Sequence, residues 1–504
     1  MKKLLNIVVI IVIGAFFVGC KDKYPEGVES KAIVLKIWTT EEEGYFKALG
    51  REFLSALQDS RVSVKVVKFI DDEELHRFLL DKMAEGSGPD IIYTKGDWIA
   101  RNTKKLVPRE NDESFTVELF KNAFVRASHD TLLVEDKIWG VPFGVDSLAL
   151  FYNEEHIAER LPDRNMPGRT WKEIQEDSEF LSKTDNSFGR FASSAIAMGR
   201  FDNIFYGFEI LENIMFQMGT EFFTEDGTQT LFAKTMASGS FGQRENIGEE
   251  ALKFFMSFAD ERFKHYSWSE FLVEFDSDLK NFETFLTGDV SMVFGYSTDF
   301  QKIEAWQASL KKAGKRSISK KNIRVTYFPQ VENPKEGGSQ KVIGKVYALA
   351  VPRGTGNDDF AWRFLKFAVR KENMQSFFKE TKLPTARLDL IREQETEPHI
   401  GIFVRQAKFA EANNFPFSKD EFKEHLTDLV FQINEGKKIY KKGLESIAEQ
   451  IDARLKNFFS REKELNKKGG IFPRFYLEKK PGFFLRYLVF VSSCFCFGFL
   501  LVFF

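Results

Sequence analysis

The chain has 504 residues, enough for two lobes with tails rather than one simple domain. Its 72 basic and 74 acidic side chains leave a formal net charge of -2, which gives no electrostatic case for a nucleic-acid partner. The three cysteines are Cys20, Cys494 and Cys496, so the long body between them has no disulfide and no thiolate metal site.

Lys2 and Lys3 precede an apolar run over residues 4–17, the layout of a secretory signal. The run ends in Val18-Gly19-Cys20, which resembles the lipobox of bacterial lipoproteins, although Phe17 stands where an aliphatic residue is more usual. The resemblance implies that residues 1–20 are a signal peptide and that Cys20 is lipidated. It also implies that the chain beyond Cys20 works outside the cytoplasmic membrane, at the cell surface or in the periplasm. The competing reading is an uncleaved membrane anchor with an incidental cysteine. Residues 21–31 are short and polar, with Pro25 and Gly27, and read as a tether.

Strand and helix signals alternate from residue 32 to about residue 455, the pattern of an α/β protein. Ile33-Val34-Leu35-Lys36-Ile37-Trp38 reads as a strand. Thr40 with Glu43 predicts a capping box opening a helix that carries Phe46, Leu49, Phe53, Leu54 and Leu57 at helical spacing. Residues 62–67 alternate as a strand, Asp71 or Asp72 caps the next helix, and Asp90-Ile91-Ile92-Tyr93 is a short buried strand. This strand-helix run predicts a mainly parallel sheet. Residues 141–143 and 148–152 read as extended, and Thr170 with Glu173 predicts a second capping box. Helices are expected over 201–218, 249–263, 358–370 and 418–455, and strands over 289–294 and 346–351. Residues 461–482 read as a charged linker. Residues 483–504 are apolar apart from Arg486 and two serines, and 487–504 is long enough to span a bilayer. The flanking Lys479, Lys480 and Arg486 would then lie outside, against the positive-inside tendency.

Several stretches together resemble the extracellular solute-binding proteins of ABC importers, in particular the sugar-binding type related to maltodextrin-binding proteins. They are Ile37-Trp38, residues 86–93 (GSGPDIIY), residues 139–153 (WGVPFGVDSLALFYN), Thr170-Trp171-Lys172-Glu173, residues 285–292 (FLTGDVSM), residues 361–367 (AWRFLKF) and Leu383-Pro384-Thr385. They occur in the family's order and cover about residues 32–455. The resemblance implies a two-lobed periplasmic-binding-protein-like fold of type II, joined by a hinge that the chain crosses three times. The crossings are expected near Val145-Asp146, near residues 327–330 and near residues 383–386. Lobe I is then 32–145 plus 329–383, and lobe II 146–328 plus 384–460. The resemblance further implies a monomer that captures a carbohydrate between its lobes and passes it to ABC permease subunits. The membrane is met through the lipid, with the C-terminal segment as a candidate second anchor.

In open α/β sheets ligands bind beyond the carboxyl ends of the strands. Those ends here present residues 39–43, 94–98, Asp146 and 295–297, with Thr40, Glu41, Glu42, Asp97, Trp98, Asp146, Tyr296 and Ser297 as the ligand candidates among them. A sugar offers apolar CH faces and a rim of hydroxyls, so it needs flat aromatic surfaces and placed polar partners. Trp98 and Tyr296 are the aromatic candidates, with Trp268 a third. Glu41, Glu42, Asp97 and Asp146 are carboxylates able to accept charge-assisted hydrogen bonds. Each has a plainer reading. Glu41, Glu42 and Glu43 suit a helix first turn, Asp97-Trp98 suits a cap and a packing residue, Asp146 suits a hinge, and Trp268 suits a core. Trp38, Trp139, Trp171 and Trp362 are assigned to packing, and residues 413–416 are further cleft candidates.

The six histidines (His76, His129, His156, His265, His399 and His425) show no i, i+4 pair, so no helical zinc signature is present. Neither a Gly-x-Ser-x-Gly elbow nor a phosphate loop occurs. The expectation is a binding protein, not an enzyme, with no cofactor and no metal. Two alternatives stay open. One keeps the fold but binds a polyamine, peptide or other solute, for which Glu41-Glu42-Glu43 would suit a cation. The other is a structural or sensory envelope lipoprotein that no longer transports.

Overall fold

Alternating apolar residues and β-branched runs place the strands, numbered in chain order. A computed structural model describes residues 32–109, 113–185, 190–238, 243–274, 277–331 and 339–467. The expected signal peptide, Cys20, the tether and the apolar tail lie outside the described residues. Among the described residues no helix is long and apolar enough to cross a membrane.

β1 (Ile33–Thr39), β2 (Val62–Lys68) and β3 (Ile91–Lys95) are parallel, with β1 between the other two. β4 (Val141–Ser147) and the long β10 (Val342–Ala350) complete this sheet, with β11 (Ala410–Glu411) at the far end of β10. β10 is antiparallel to both β3 and β4, so the sheet is mixed rather than mainly parallel. The second sheet has the order β9-β5-β8-β7-β6. Its strands are β5 (Ala149–Asn153), β6 (Lys183–Asp185), β7 (Arg190–Ile196), β8 (Val290–Gly295) and β9 (Ile323–Thr326). The result is a bilobed α/β fold.

The chain leaves the first sheet at Ser147 and enters the second at Ala149. It returns between the end of β9 and the start of β10. Residues 383–386 lie along β4, where the Val145 N–H donates to the Pro384 carbonyl at 2.9 Å. The chain reaches the second lobe's helices again by Lys419–Asn434, which packs with Gly207–Met218. The final helix runs over Tyr440–Lys467, so residues 461–467 extend it rather than opening a linker.

Local chemistry explains where helices begin. α1 (Glu43–Leu57) does not start with the expected Thr40–Glu43 box. The Thr39 hydroxyl instead accepts from the Glu41 N–H at 3.0 Å and keeps residues 40–42 outside the helix. α2 (Asp72–Ala84) is capped by Asp71, which accepts from the Glu74 N–H. Thr170 and Glu173 form the expected reciprocal box. The helix expected from residue 201 starts only at Gly207, because the Phe205 N–H is held by the Asn281 side chain at 3.0 Å. The next ends at Ser257 rather than 263, where the Phe258 carbonyl turns back to accept from Ser267 and Trp268. Trp38, Trp139, Trp171 and Trp362 are all buried. One aromatic cluster joins Phe46, Tyr93, Phe143 and Phe377 beneath the first sheet.

Candidate ligand-binding cleft

β10 alternates buried apolar residues (Val346, Ala348) with Lys345 and Tyr347, which share the opposite face. In register, Lys345 stands opposite Asp146 of β4, and Tyr347 opposite Lys95 of β3. Tyr347 also stacks on Tyr93, with centroids 6.2 Å apart and planes 11° apart. This row lies on one face of the first sheet. Lys345 and Tyr347 keep partial solvent access despite protein packed on nearly every side.

The carboxyl ends of β1 and β3 supply the first lobe's wall. Thr40, Glu41 and Glu42 follow β1; Glu41 is half-buried and Glu42 is exposed. Burial pushes the Glu41 carboxyl up, and Lys68 and, from the second lobe, Lys302 pull it back. Its side chain makes no hydrogen bond or ion pair with a described residue. Glu42 pairs with Lys68, and Glu43 with Lys47 at 2.9 Å. After β3, Gly96–Arg101 forms α3, carrying Asp97 and Trp98. Asp97 pairs with Arg101 at 2.9 Å. Burial opposes its charge, but Arg101, Lys419 of the second lobe and Lys95 outweigh it and hold the carboxyl far below the usual range. Trp98 is buried and stacks on His76, with centroids 4.4 Å apart and planes 8° apart. Burial depresses the His76 pKa to about 3, which keeps the ring neutral. The Trp98 indole N–H is buried without an acceptor among the described residues.

The second lobe's wall is built where β8 ends. Tyr296 lies beside Tyr206, edge to face at 5.0 Å. Asp299 fixes both, accepting from the Tyr206 hydroxyl at 2.7 Å and the Tyr296 N–H at 2.9 Å. The Lys345 ammonium sits over the Tyr296 ring, 3.9 Å from its centroid. Ser297 begins α7 (Ser297–Lys312; α4 is Trp171–Leu181, α5 is Gly207–Met218 and α6 is Ile247–Ser257). Its hydroxyl donates to Asp146 at 2.7 Å, and its N–H donates to the same carboxylate at 3.1 Å. Asp146 is fully buried, and burial pushes its carboxyl up to about 6 against the bonds from Ser297.

The sequence candidates therefore divide. Tyr296 meets Lys345 of the first sheet, Glu41 and Asp97 feel Lys302 and Lys419 of the second lobe, and Trp98 is buried against His76 in the first lobe. Asp146 and Ser297 meet each other at the crossing between the lobes. Trp268 lies elsewhere, fully buried in the second lobe with its indole N–H bonded to Asn203 at 2.9 Å. Asn413 bonds Glu212 at 2.8 Å, and Asn414 bonds the Asp130 carbonyl at 2.8 Å. Sequence reasoning missed Lys345, Tyr347, Tyr206, Glu209 and Asp299. For Lys345 and Tyr347 the signal was available, because the alternation runs back from Val346 to Val342. Among the described residues no group of His, Cys, Asp and Glu could hold a metal ion.

Comparison with known proteins agrees with this architecture. Residues 48–402 match a family model described as bacterial extracellular solute-binding protein. A galactooligosaccharide-binding protein of Bacillus subtilis is 26% identical over 195 residues, 38% of this chain and 41% of that protein. A maltotriose-binding protein of Pyrococcus abyssi is 24% identical over 134 residues, 27% of each chain. Both alignments thus span less than half of the curated relatives. Among solved structures, the sugar-binding protein MalE from Xanthomonas citri superposes with a TM-score of 0.68 at 15% identity, covering 85% of this chain and 99% of that one. An ABC transporter solute-binding protein from Thermotoga lettingae, bound with alpha-D-tagatose, gives 0.58 at 19% identity over 84% and 100%. With a bilobed α/β fold and a family model matched over residues 48–402 of its 504, the chain belongs to the bacterial extracellular solute-binding protein family.

Proposed function

We propose that the protein captures a mono- or oligosaccharide between its lobes and delivers it to an ABC permease. The observation that carries this reading is the junction of the two lobes, where Lys345 of the first sheet lies over Tyr296 of the second lobe beside Tyr206 and near Tyr347. Around it we place the rings of Tyr296, Tyr347 and Trp98 and the carboxylates of Glu41 and Asp97, which feel Lys302 and Lys419 of the second lobe. Flat rings beside fixed acceptors suit a polyhydroxylated ring. The sugar named for each relative and for the tagatose-bound neighbour supports the same ligand class.

In this reading Glu41, Asp97, Trp98 and Tyr296 meet the ligand, with Thr40 and Glu42 at the rim. Asp146 and Ser297 position the second wall, and Trp268 supports the lobe from its core. The hinge is the set of passages near residues 145–146, 327–330 and 383–386, with lobes divided at those points. The tether and lipid at Cys20 hold the body at the membrane as a monomer, a reading that rests on the residues of the signal alone. A polyamine cargo is less well supported, since Glu42 and Glu43 are already paired with Lys68 and Lys47.

The test is native mass spectrometry of the purified full-length chain, followed by thermal melts with a sugar panel. Co-purifying sugar, or a melting shift that grows with sugar concentration, is the expected result. If another solute class shifts the melt while no sugar does, the carbohydrate assignment fails.

A further inference from the structure

The charged groups facing Lys345 already have partners of their own. Asp146 across the β4–β10 pairing accepts from Ser297. Asp299 accepts from Tyr206 and Tyr296 and lies 3.6 Å from Lys302. Glu209 bonds Lys423 at 3.3 Å, and Lys95 bonds Asp72 at 3.0 Å. The Lys345 ammonium makes no hydrogen bond or ion pair with any described residue, and its contact is the face of Tyr296. An ammonium has three donors to satisfy, and a ring face satisfies none of them as an acceptor oxygen would. Burial, reinforced by the nearby Lys95, lowers its pKa, while the carboxylates of Glu209, Asp146 and Asp299, each engaged with its own partners, pull it back up. Near it, Glu209 Oε2 is a buried acceptor without a donor among the described residues. Among the described residues, the ammonium thus lacks a direct acceptor and one oxygen of Glu209 lacks a donor.

We propose that the ligand is a sugar carrying an anionic group, a carboxylate or a phosphate, with Lys345 receiving the anion and Glu209 Oε2 accepting from a neighbouring hydroxyl. This deepens the carbohydrate reading and rests on it. A charge-assisted bond in a confined cleft makes the anion the feature that selects the ligand. Neutral sugars of the same size leave the ammonium unpaired and are the weaker ligands.

The test uses the full-length protein and matched ligand sets: neutral mono- to trisaccharides, the corresponding uronates, and the corresponding sugar phosphates. Calorimetry or thermal melts should give an anionic member binding at least about tenfold tighter than its neutral parent. The uronate and phosphate arms identify which anion it is. Lys345→Gln should reduce that preference to within about threefold, and Lys345→Arg should retain most of it. A melt of each unliganded variant shows that it folds. Neutral sugars binding as tightly as their anionic counterparts, or Lys345→Gln keeping the preference, would overturn the proposal and leave the carbohydrate reading standing. Binding of no sugar in any arm overturns both.

Discussion

At the scale of single residues, Asp146 shows how position in the fold changes a role. Its carboxylate is fully buried, and Ser297 bonds it from the other side of the crossing. Its pKa is pushed up to about 6 from the usual carboxylate value, mainly by burial. A raised acid is more easily protonated when folded than when unfolded. Its contribution is therefore fully present below about pH 4 and is lost as pH rises through about 6. A shift of about two units corresponds to about 3 kcal/mol at most. Asp146→Asn should remove this slope. Urea denaturation of both proteins between pH 4 and 7 should show the wild type losing stability relative to the variant as pH rises, then a constant difference. A difference that is flat throughout would mean that Asp146 titrates near its ordinary value. The sequence showed Asp146 at a crossing, because residues 139–153 carry the family pattern. The bond to Ser297, 151 residues away, was not legible, since no local pattern encodes which loop a carboxylate meets. The face of β10 that carries Lys345 was legible from the alternation over 342–346, but its surroundings were not. Its significance lies in making no hydrogen bond or ion pair among the described residues, which appears only when its neighbours are in place.

At the scale of elements, the passages between the sheets are held by few side chains. Gln406, fully buried on Ile400–Ala407, donates to the Ser147 hydroxyl at 2.8 Å and the Leu148 carbonyl at 2.9 Å. Its carbonyl accepts from the Phe328 N–H at 2.7 Å. One amide thus ties the first two passages together. Gln406→Leu leaves these buried groups without partners and should destabilise the protein by about 2–4 kcal/mol, measured by chemical denaturation. Gly144 probes the third contact separately. A Cβ there would lie 2.4 Å from Leu383 Cδ2 and 2.9 Å from the Pro384 carbonyl. Gly144→Ala should therefore push residues 383–386 off β4 and cost about 1–3 kcal/mol as an overpacked contact. An unchanged melt would show that this segment yields without penalty. The strands here were readable in sequence because alternation and β-branched runs are local. The antiparallel insertion of β10 between β3 and β4 was not, because it joins distant parts of the chain, Tyr347 to Lys95 and Lys345 to Asp146, through pairing alone.

At the scale of the molecule, the proposed capture requires the two lobes to close, and a ligand shifts that balance only through its better contacts in the closed state. The walls already meet at a few points. Gln301 of α7 donates to the Thr381 carbonyl at 2.5 Å, joining the second lobe to the end of the helix Lys371–Thr381. This bond is exposed and lies outside the cleft's row of aromatic and charged groups, so it acts on closure and not on ligand chemistry. Gln301→Ala removes one exposed hydrogen bond, on the order of 0.5–1.5 kcal/mol, and should weaken every cleft ligand by roughly the same two- to tenfold. Calorimetry with two chemically different ligands checks the equality of the factors, and small-angle scattering of the unliganded variant should show a larger radius of gyration. Unequal factors would place Gln301 in recognition rather than closure, while an unchanged affinity and radius would mean that the Thr381 contact does not bear on the balance between open and closed lobes.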